Sequence, residues 1–417
     1  MFLYIDPGTG SMLLSLFIGI ATAAVFGIRA LAIKLQFIFT GGKQDKKQNL
    51  NRIPYVIYSD HKRYWNVFKP ICDEFEKRGV DLVFYTSSPD DPALSCKYNH
   101  VKCEYIGEGS KAFMKLNVLK ADIVISTTPG LDVYQWKRSK DVKFYVHIPH
   151  SADELASYRM FGMDYYDAVL TSGKNQVDCI RTLESLRPSI KRKDLTTVGS
   201  IPLDNLKYQL EHSPITEPNS NTTVLLAPSW GPSGLLARYG EKLIQALINT
   251  GFDIIVRPHP QTVVSEQNIL KPLTDKFSNV SWNYDNDNFE VLKKSDILIT
   301  DFSGVILDYA CVFDKPVIYA DTQFDTLPYD ADWLDEPKWS FKISPEIGVQ
   351  LKEEDLPNIK SLIEEALSSK KLQSGRDSVR NQCWEHVGGS AKNAVDYLLK
   401  KEKELTSTSE TSIKSQA

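Results

Sequence analysis

Ser295-Asp296-Ile297-Leu298-Ile299-Thr300-Asp301-Phe302-Ser303-Gly304 sets a short apolar block against a polar turn. An uninterrupted apolar run of this length suits a strand buried on both faces, as in a parallel sheet covered by helices. A near copy stands earlier, at Ala121-Asp122-Ile123-Val124-Ile125-Ser126-Thr127. Around each copy the same rhythm extends in both directions. Tyr55–Tyr58, Leu82–Tyr85, Phe144–Val146 and Ala168–Leu170 form the first set of blocks. Val224–Ala227, Ile254–Val256 and Val317–Tyr319 form the second. Helical stretches separate them, such as Trp65 to Arg78, one from about Gly240, one opening at Val305 and one from about Leu356. This alternation predicts an α/β protein with two Rossmann-like domains facing a cleft.

The predicted organisation is a membrane anchor and juxtamembrane segment over 1–40, a linker over 41–51 and an N-terminal Rossmann-like domain over 52–210. A Pro-containing linker over 211–222 precedes a C-terminal Rossmann-like domain over 223–402, and a Ser/Thr-rich tail over 403–417 is expected to be disordered. A helix near Ala391 to Lys401 is expected to return to the first domain. Between Pro7 and Ile28 no residue is charged, and about 20 apolar residues span a bilayer core. Arg29, Lys34, Lys43, Lys46, Lys47 and Arg52 all follow the span, which orients the rest of the chain toward the cytoplasm.

Composition excludes several function classes. The chain has 417 residues and a net charge of -4, with no long basic stripe, so no nucleic-acid partner is expected. Its six cysteines form no C-x-x-C pair and read as reduced thiols of a cytosolic domain. Neither a P-loop nor a Cys/His cluster occurs, which argues against an NTPase and against a metal site. Asp285-Asn286-Asp287 and Asp330-Ala331-Asp332 have the D-x-D form of a metal motif, but read as solvated turns.

Chemistry is expected in the loops after strands, where the cleft lies. Arg257-Pro258-His259-Pro260 follows Ile254–Val256. An arginine fork matches phosphate oxygens, and His259 can donate to a diphosphate or protonate a leaving phosphate. Ser303 and Gly304 open a helix and suit an anion. Asp301 is grouped with them on the donor side, but as an awkward neighbour for phosphate it reads rather as ordering the loop, orienting a histidine or capping the helix. From the first domain comes His147-Ile148-Pro149-His150-Ser151. A histidine near its ordinary pKa suits the base for an acceptor hydroxyl, and His150 is preferred because His147 is placed to point into the sheet. Arg159 and Ser229 are carried as further candidates.

The ordered set His150-Ser151, Tyr166-Asp167, Thr171-Ser172, Gly199-Ser200-Ile201-Pro202-Leu203-Asp204, Arg257-Pro258-His259-Pro260, Thr300-Asp301-Phe302-Ser303, Asp314-Lys315-Pro316 and Gly388-Gly389-Ser390 resembles the CDP-glycerol glycerophosphotransferase family of teichoic-acid-type enzymes. That resemblance implies a GT-B fold and metal-free, cofactor-free transfer of glycerol phosphate from a CDP-linked donor to a lipid-linked polymer acceptor at the membrane. It implies His150 as the acceptor base, and Arg257, His259 and Ser303 as diphosphate contacts. The chain departs from the family at Ser151 and Gly304, where Gly and Ser are usual, at Leu203 and in a missing lysine after His150. A nucleotide-sugar glycosyltransferase and a non-catalytic membrane-anchored scaffold are the competing readings on this fold.

Overall fold

The computed structural model describes residues 52–414 except 159–160, 215–219, 286, 321–325, 327–330 and 332–337. The predicted anchor over 1–40 and linker over 41–51, Arg159, Asp330 and Asp332 lie outside the described residues. No helix among those described is long and apolar enough to cross a membrane. Ile53–Ala417 forms one compact unit.

Seven parallel strands build the first sheet: β1 (Ile53–Ser59), β2 (Leu82–Thr86), β3 (Val101–Tyr105), β4 (Ala121–Ser126), β5 (Val142–His147), β6 (Ala168–Thr171) and β7 (Asp194–Thr197), in spatial order 3-2-1-4-5-6-7. Six build the second: β8 (Thr223–Leu226), β9 (Asp253–Val256), β10 (Ser281–Trp282), β11 (Ile297–Thr300), β12 (Val317–Ala320) and β13 (Gly348–Leu351), in order 10-9-8-11-12-13. Counted within its own sheet, each order begins third-second-first-fourth-fifth. The repeated Ala-Asp-Ile and Ser-Asp-Ile blocks are β4 and β11, the fourth strand of each sheet, lying beside the first. The echo in sequence is therefore an echo in topology. In both sheets the strand order reverses between these two strands, which is where open α/β sheets bind ligands.

Each sheet is sealed on both faces by apolar helix stripes. Phe68, Ile71 and Phe75 of the helix Trp65–Lys77 pack onto Ile57 and Phe84 of the first sheet. Leu243, Ile244 and Leu247 of Gly240–Asn249 do the same for Val224 and Val256 of the second. All six cysteines are free thiols, four of them buried.

The last helix runs Ser390–Lys414, so most of the segment expected to be disordered is helical; after Gly389 nothing in the sequence breaks a helix before the end. Ala394, Val395 and Leu398 join the core of the first sheet, and Arg78 pairs with Asp396 at 2.6 Å. The chain crosses back before the expected boundary at 402. A carboxylate holds this crossing. Asp204 accepts from Trp384 Nε1 at 2.8 Å, Gly388 N at 2.7 Å, Ser390 N at 2.9 Å and the Ser390 hydroxyl. Gly199 completes the joint: its φ is +102°, and a Cβ there would stand 2.5 Å from the Glu385 carbonyl oxygen. The Gly199–Asp204 and Gly388–Ser390 motifs are thus two halves of one joint.

Candidate functional site

Two adjoining cavities of about 430 and 440 Å³ lie between the loops at the C-terminal ends of the two sheets, a size typical of small-ligand sites. Residues from both sheets line each. His259, Asn288, Ser303 and Asp308 line both cavities. Arg257 and Arg63 line the first, and His150, Ser151 and Gly304 the second. The expected acceptor-side and donor-side motifs therefore meet in one cleft.

The two histidines meet different partners at Nδ1. His259 precedes the short helix Pro260–Ser265, and its Nδ1 accepts the backbone N–H of Gln261 at 3.0 Å. A backbone amide can only donate, so in the neutral ring the proton sits on Nε2, which becomes a donor. Burial, reinforced by the Arg63 charge, pulls its pKa down to about 4, keeping the ring neutral at physiological pH. The Nδ1 of His150 instead faces hydroxyls, Tyr158 Oη at 2.7 Å and Thr127 Oγ1 at 3.3 Å. Both can accept, so Nδ1 can carry the proton and leave Nε2 as a base. The ring lies between Tyr158, stacked at 5.5 Å and 16°, and Tyr64 at 5.0 Å. Burial and Arg63 pull its pKa down to about 4.

His147 is fully buried, edge-on to Tyr158 and Tyr166. Neither ring nitrogen has a hydrogen-bond partner among the described residues, and burial followed by His150 brings its pKa to about 3. It ends β5 and lines neither cleft cavity.

Arg257 lies at the cavity edge with its guanidinium anchored by the Asn283 side chain and the Asp285 carbonyl, the latter at 2.8 Å. The anchors fix the fork and leave part of its donor set for a ligand. Ser303 and Gly304 open a short α-turn, Val305–Leu307, which continues as a π-helical segment to Phe313. A Cβ on Gly304 would stand 3.2 Å from Ser151 Oγ, so the two walls touch at this point. Ser151 and Gly304 are two of the positions at which the sequence departs from the family it resembles.

Asp301 departs from the expected donor-side grouping. It is 4% exposed, lines neither cavity, and accepts the N–H groups of Ser229 and Leu235 at 2.8 and 3.0 Å. A carboxylate at this place would repel phosphate; satisfied by amides, it shapes the loop that phosphate approaches. It does not cap the following turn, which Gly304 precedes. Ser229 lies at the end of that shaped loop and lines the second cavity. Of the D-x-D candidates, Asp287 lines the first cavity and accepts the Phe289 N–H at 2.8 Å, and Asn286 lies outside the described residues. No group of metal-ligating side chains occurs among the described residues.

Several lining residues carry no mark in the sequence. Asp308 borders both cavities beside Asn288, and burial raises its carboxyl to about 7. Its signal is spacing, four residues after Gly304 on the same helix. Glu154, also raised to about 7 by burial and then by Asp153, accepts the Trp339 N–H at 2.8 Å. Lys338 Nζ stands 3.5 Å from Asp153. A cation from the second half thus lies beside the His150 loop, in a region where the resembling family carries a lysine in the loop itself. Arg63 lines the first cavity from the turn after β1, a strand-end position with no motif in the sequence, and its neighbour Tyr64 packs on the His150 ring.

Residues 209–335, under a third of the chain, match the family model described as CDP-Glycerol:Poly(glycerophosphate) glycerophosphotransferase. That span includes Arg257, His259, Asp301 and Ser303. No curated protein matches the chain in sequence. Among solved structures it is similar to the wall teichoic acid polymerase TagF soaked with CDPG, at 17% identity over 87% of this chain and 91% of that one, with a TM-score of 0.55. It is similar also to a putative UDP-N-acetylglucosamine 2-epimerase from Listeria monocytogenes (14%, 85% and 97%, 0.53). The UDP-GlcNAc 2-epimerase from Neisseria meningitidis bound to UDP-GlcNAc is comparable (15%, 84% and 100%, 0.53). Identities this low speak for the shared GT-B-like fold alone. The family model adds what the fold cannot: over residues 209–335 the chain carries the pattern of the CDP-glycerol glycerophosphotransferases, which supports an enzyme of that type.

Proposed function

We propose that the chain transfers glycerol phosphate, or a related alditol phosphate, from a CDP-linked donor to a hydroxyl of a lipid-linked cell-surface polymer precursor, in teichoic acid or capsular polysaccharide synthesis. The observation that carries this reading is the pair of histidines that line one cavity from opposite walls, with the family match lying on the His259 side. The acceptor hydroxyl gives its proton to His150 Nε2 as its oxygen attacks the β-phosphorus. The bond from that phosphorus to CMP breaks as the new P–O bond forms, and CMP leaves as the anion. His259 Nε2–H, the Arg257 fork and the Ser303 hydroxyl meet the charge that develops on phosphoryl and leaving-group oxygens. Asp308, its carboxyl raised to about 7 by burial, is placed to hydrogen-bond ligand hydroxyls. No metal or cofactor enters this scheme.

The uncharged run Pro7–Ile28 serves in this reading as the membrane anchor that brings the enzyme to acceptors on lipid carriers. Removing residues 1–51 should leave the compact unit folded, and should lower turnover of a lipid-linked acceptor more than that of a short soluble one.

The donor class is tested by following nucleotide release from CDP-glycerol, CDP-ribitol and UDP-sugars, using the full chain in detergent with bacterial membrane extract. CMP release from a CDP-alditol is expected. UDP release from a sugar donor would instead favour the glycosyltransferase reading, and no release from any donor, with no donor bound, the scaffold.

A further inference from the structure

The acceptor-side wall brings its own cation to the cleft. Arg63, in the turn after β1, lines the same cavity as Arg257, His259 and Ser303. Its guanidinium carbon stands 5.1 Å from the centre of the Tyr64 ring, the Tyr64 ring lies 5.0 Å from the His150 ring, and His150 stacks on Tyr158 at 5.5 Å. Arginine, two tyrosines and the histidine form one ladder, with the base inside it and the cation at the end that opens to the donor side. No carboxylate pairs with Arg63 among the described residues. Its charge is felt on both walls, since it helps to lower the pKa of His150 and of His259.

We propose that Arg63 is a catalytic residue of the transfer, contacting the phosphoryl group from the acceptor side as it passes between the histidines. This rests on the phosphotransfer reading given above. Arg257, His259 and Ser303 all approach from the donor wall and can hold the diphosphate before reaction. A cation on the opposite wall strengthens its contact only as the phosphorus moves toward the acceptor oxygen, which is the condition for lowering a barrier rather than for tightening ground-state binding. The Tyr64 contact holds the guanidinium plane in place, so that its fork is set before the substrate arrives.

The test compares full-length wild type, Arg63→Gln and Arg63→Lys for CMP release from CDP-glycerol with membrane extract as acceptor, over pH. Arg63→Gln should lose on the order of 10²-fold in kcat, as for loss of one charge-stabilising donor, with the KM for CDP-glycerol within a few-fold. Arg63→Lys should recover part of the loss. Around His150 stand Tyr64, Tyr158, His147 and, through the tyrosines, Asp60. Around His259 stand Glu266 and Arg257. With these unchanged, removing the Arg63 charge should move the acid limb of the kcat profile to higher pH. A purely structural Arg63 would leave that limb in place. Unchanged kcat in Arg63→Gln, or a raised KM alone, would overturn the proposal while leaving phosphotransfer intact. Absence of CMP release by wild type, with CDP-glycerol shown to bind, would instead overturn the phosphotransfer reading and this proposal with it.

Discussion

The Asp301 carboxylate accepts the backbone N–H of Ser229 at 2.8 and 3.1 Å. The two residues follow β11 and β8, the adjacent strands between which the strand order of the second sheet reverses. A second bond crosses the same gap, from Thr300 Oγ1 to the Ala227 carbonyl at 2.7 Å. A buried carboxylate thus sets the shape of the crevice that Arg257, His259 and Ser303 line, without lining it itself.

Replacing Asp301 with Ala should leave the Ser229 and Leu235 amides without their acceptor. A loss of about 3 kcal/mol is expected, the scale of removing a charged partner from a buried hydrogen-bond group, together with a raised KM for CDP-glycerol. Urea denaturation and donor titration check both. An unchanged midpoint would mean that the loop holds its shape unaided.

The interior of each sheet is plain in the sequence, and its rims are not. Every strand recognised as an apolar block lies inside a sheet. β3, β7, β10 and β13, which were not recognised, are the four edges. Val101-Lys102-Cys103-Glu104-Tyr105 and Asp194-Leu195-Thr196-Thr197 mix polar and apolar residues because an edge is covered less completely. The site divides similarly. His150, Arg257, His259 and Ser303 follow interior strands and could be found by their place after an apolar block. Arg63, four residues past the end of β1, and Asp308, four residues after Gly304, have only spacing to mark them, and Lys338 reaches the cleft through tertiary packing that no local pattern encodes. Asp301 divides between the two: its place beside Ser303 groups it with the donor side, while its carboxylate, awkward beside phosphate, points to the loop-ordering task in which the structure finds it.

His147 should make the fold sensitive to acid. Its folded pKa of about 3 lies below the ordinary histidine value of about 6.5. Between these values the unfolded chain binds a proton that the folded chain does not, so this contribution to stability is complete above about pH 6.5 and falls as pH drops toward about 3. At pH 5 the loss from this one site is about 2 kcal/mol. His147→Leu should reduce the difference in denaturation free energy between about pH 7.5 and pH 5 by that amount. An unaltered pH dependence would refute the assignment.

Ser151 and Gly304 should behave as a coupled pair. Gly304→Ser places a Cβ 3.2 Å from Ser151 Oγ, pressing the walls apart where reacting groups must align. Activity should fall by about 10-fold or more. Ser151→Gly in the same chain should restore most of it, a departure from additivity expected for residues in contact. Equal activity of the single and double variants would show that the cleft yields freely.

The joint at Asp204 should govern the last helix. Asp204→Ala removes the acceptor shared by Trp384, Gly388 and Ser390. Amide exchange over Ser390–Lys414 should accelerate, and global stability should drop by about 3 kcal/mol. Unchanged exchange in that helix would show that apolar packing alone secures it.

The most direct test of the two-wall account is the steady-state rate of CMP release from CDP-glycerol by His150→Ala beside wild type, with acceptor present. The account predicts a fall in kcat of about 10²- to 10⁴-fold, the contribution of a positioned general base, with the donor KM nearly unchanged because His259, Arg257 and Ser303 remain on the opposite wall. A variant that releases CMP at the wild-type rate would contradict His150 as the base and, with it, the division of labour between the two histidines.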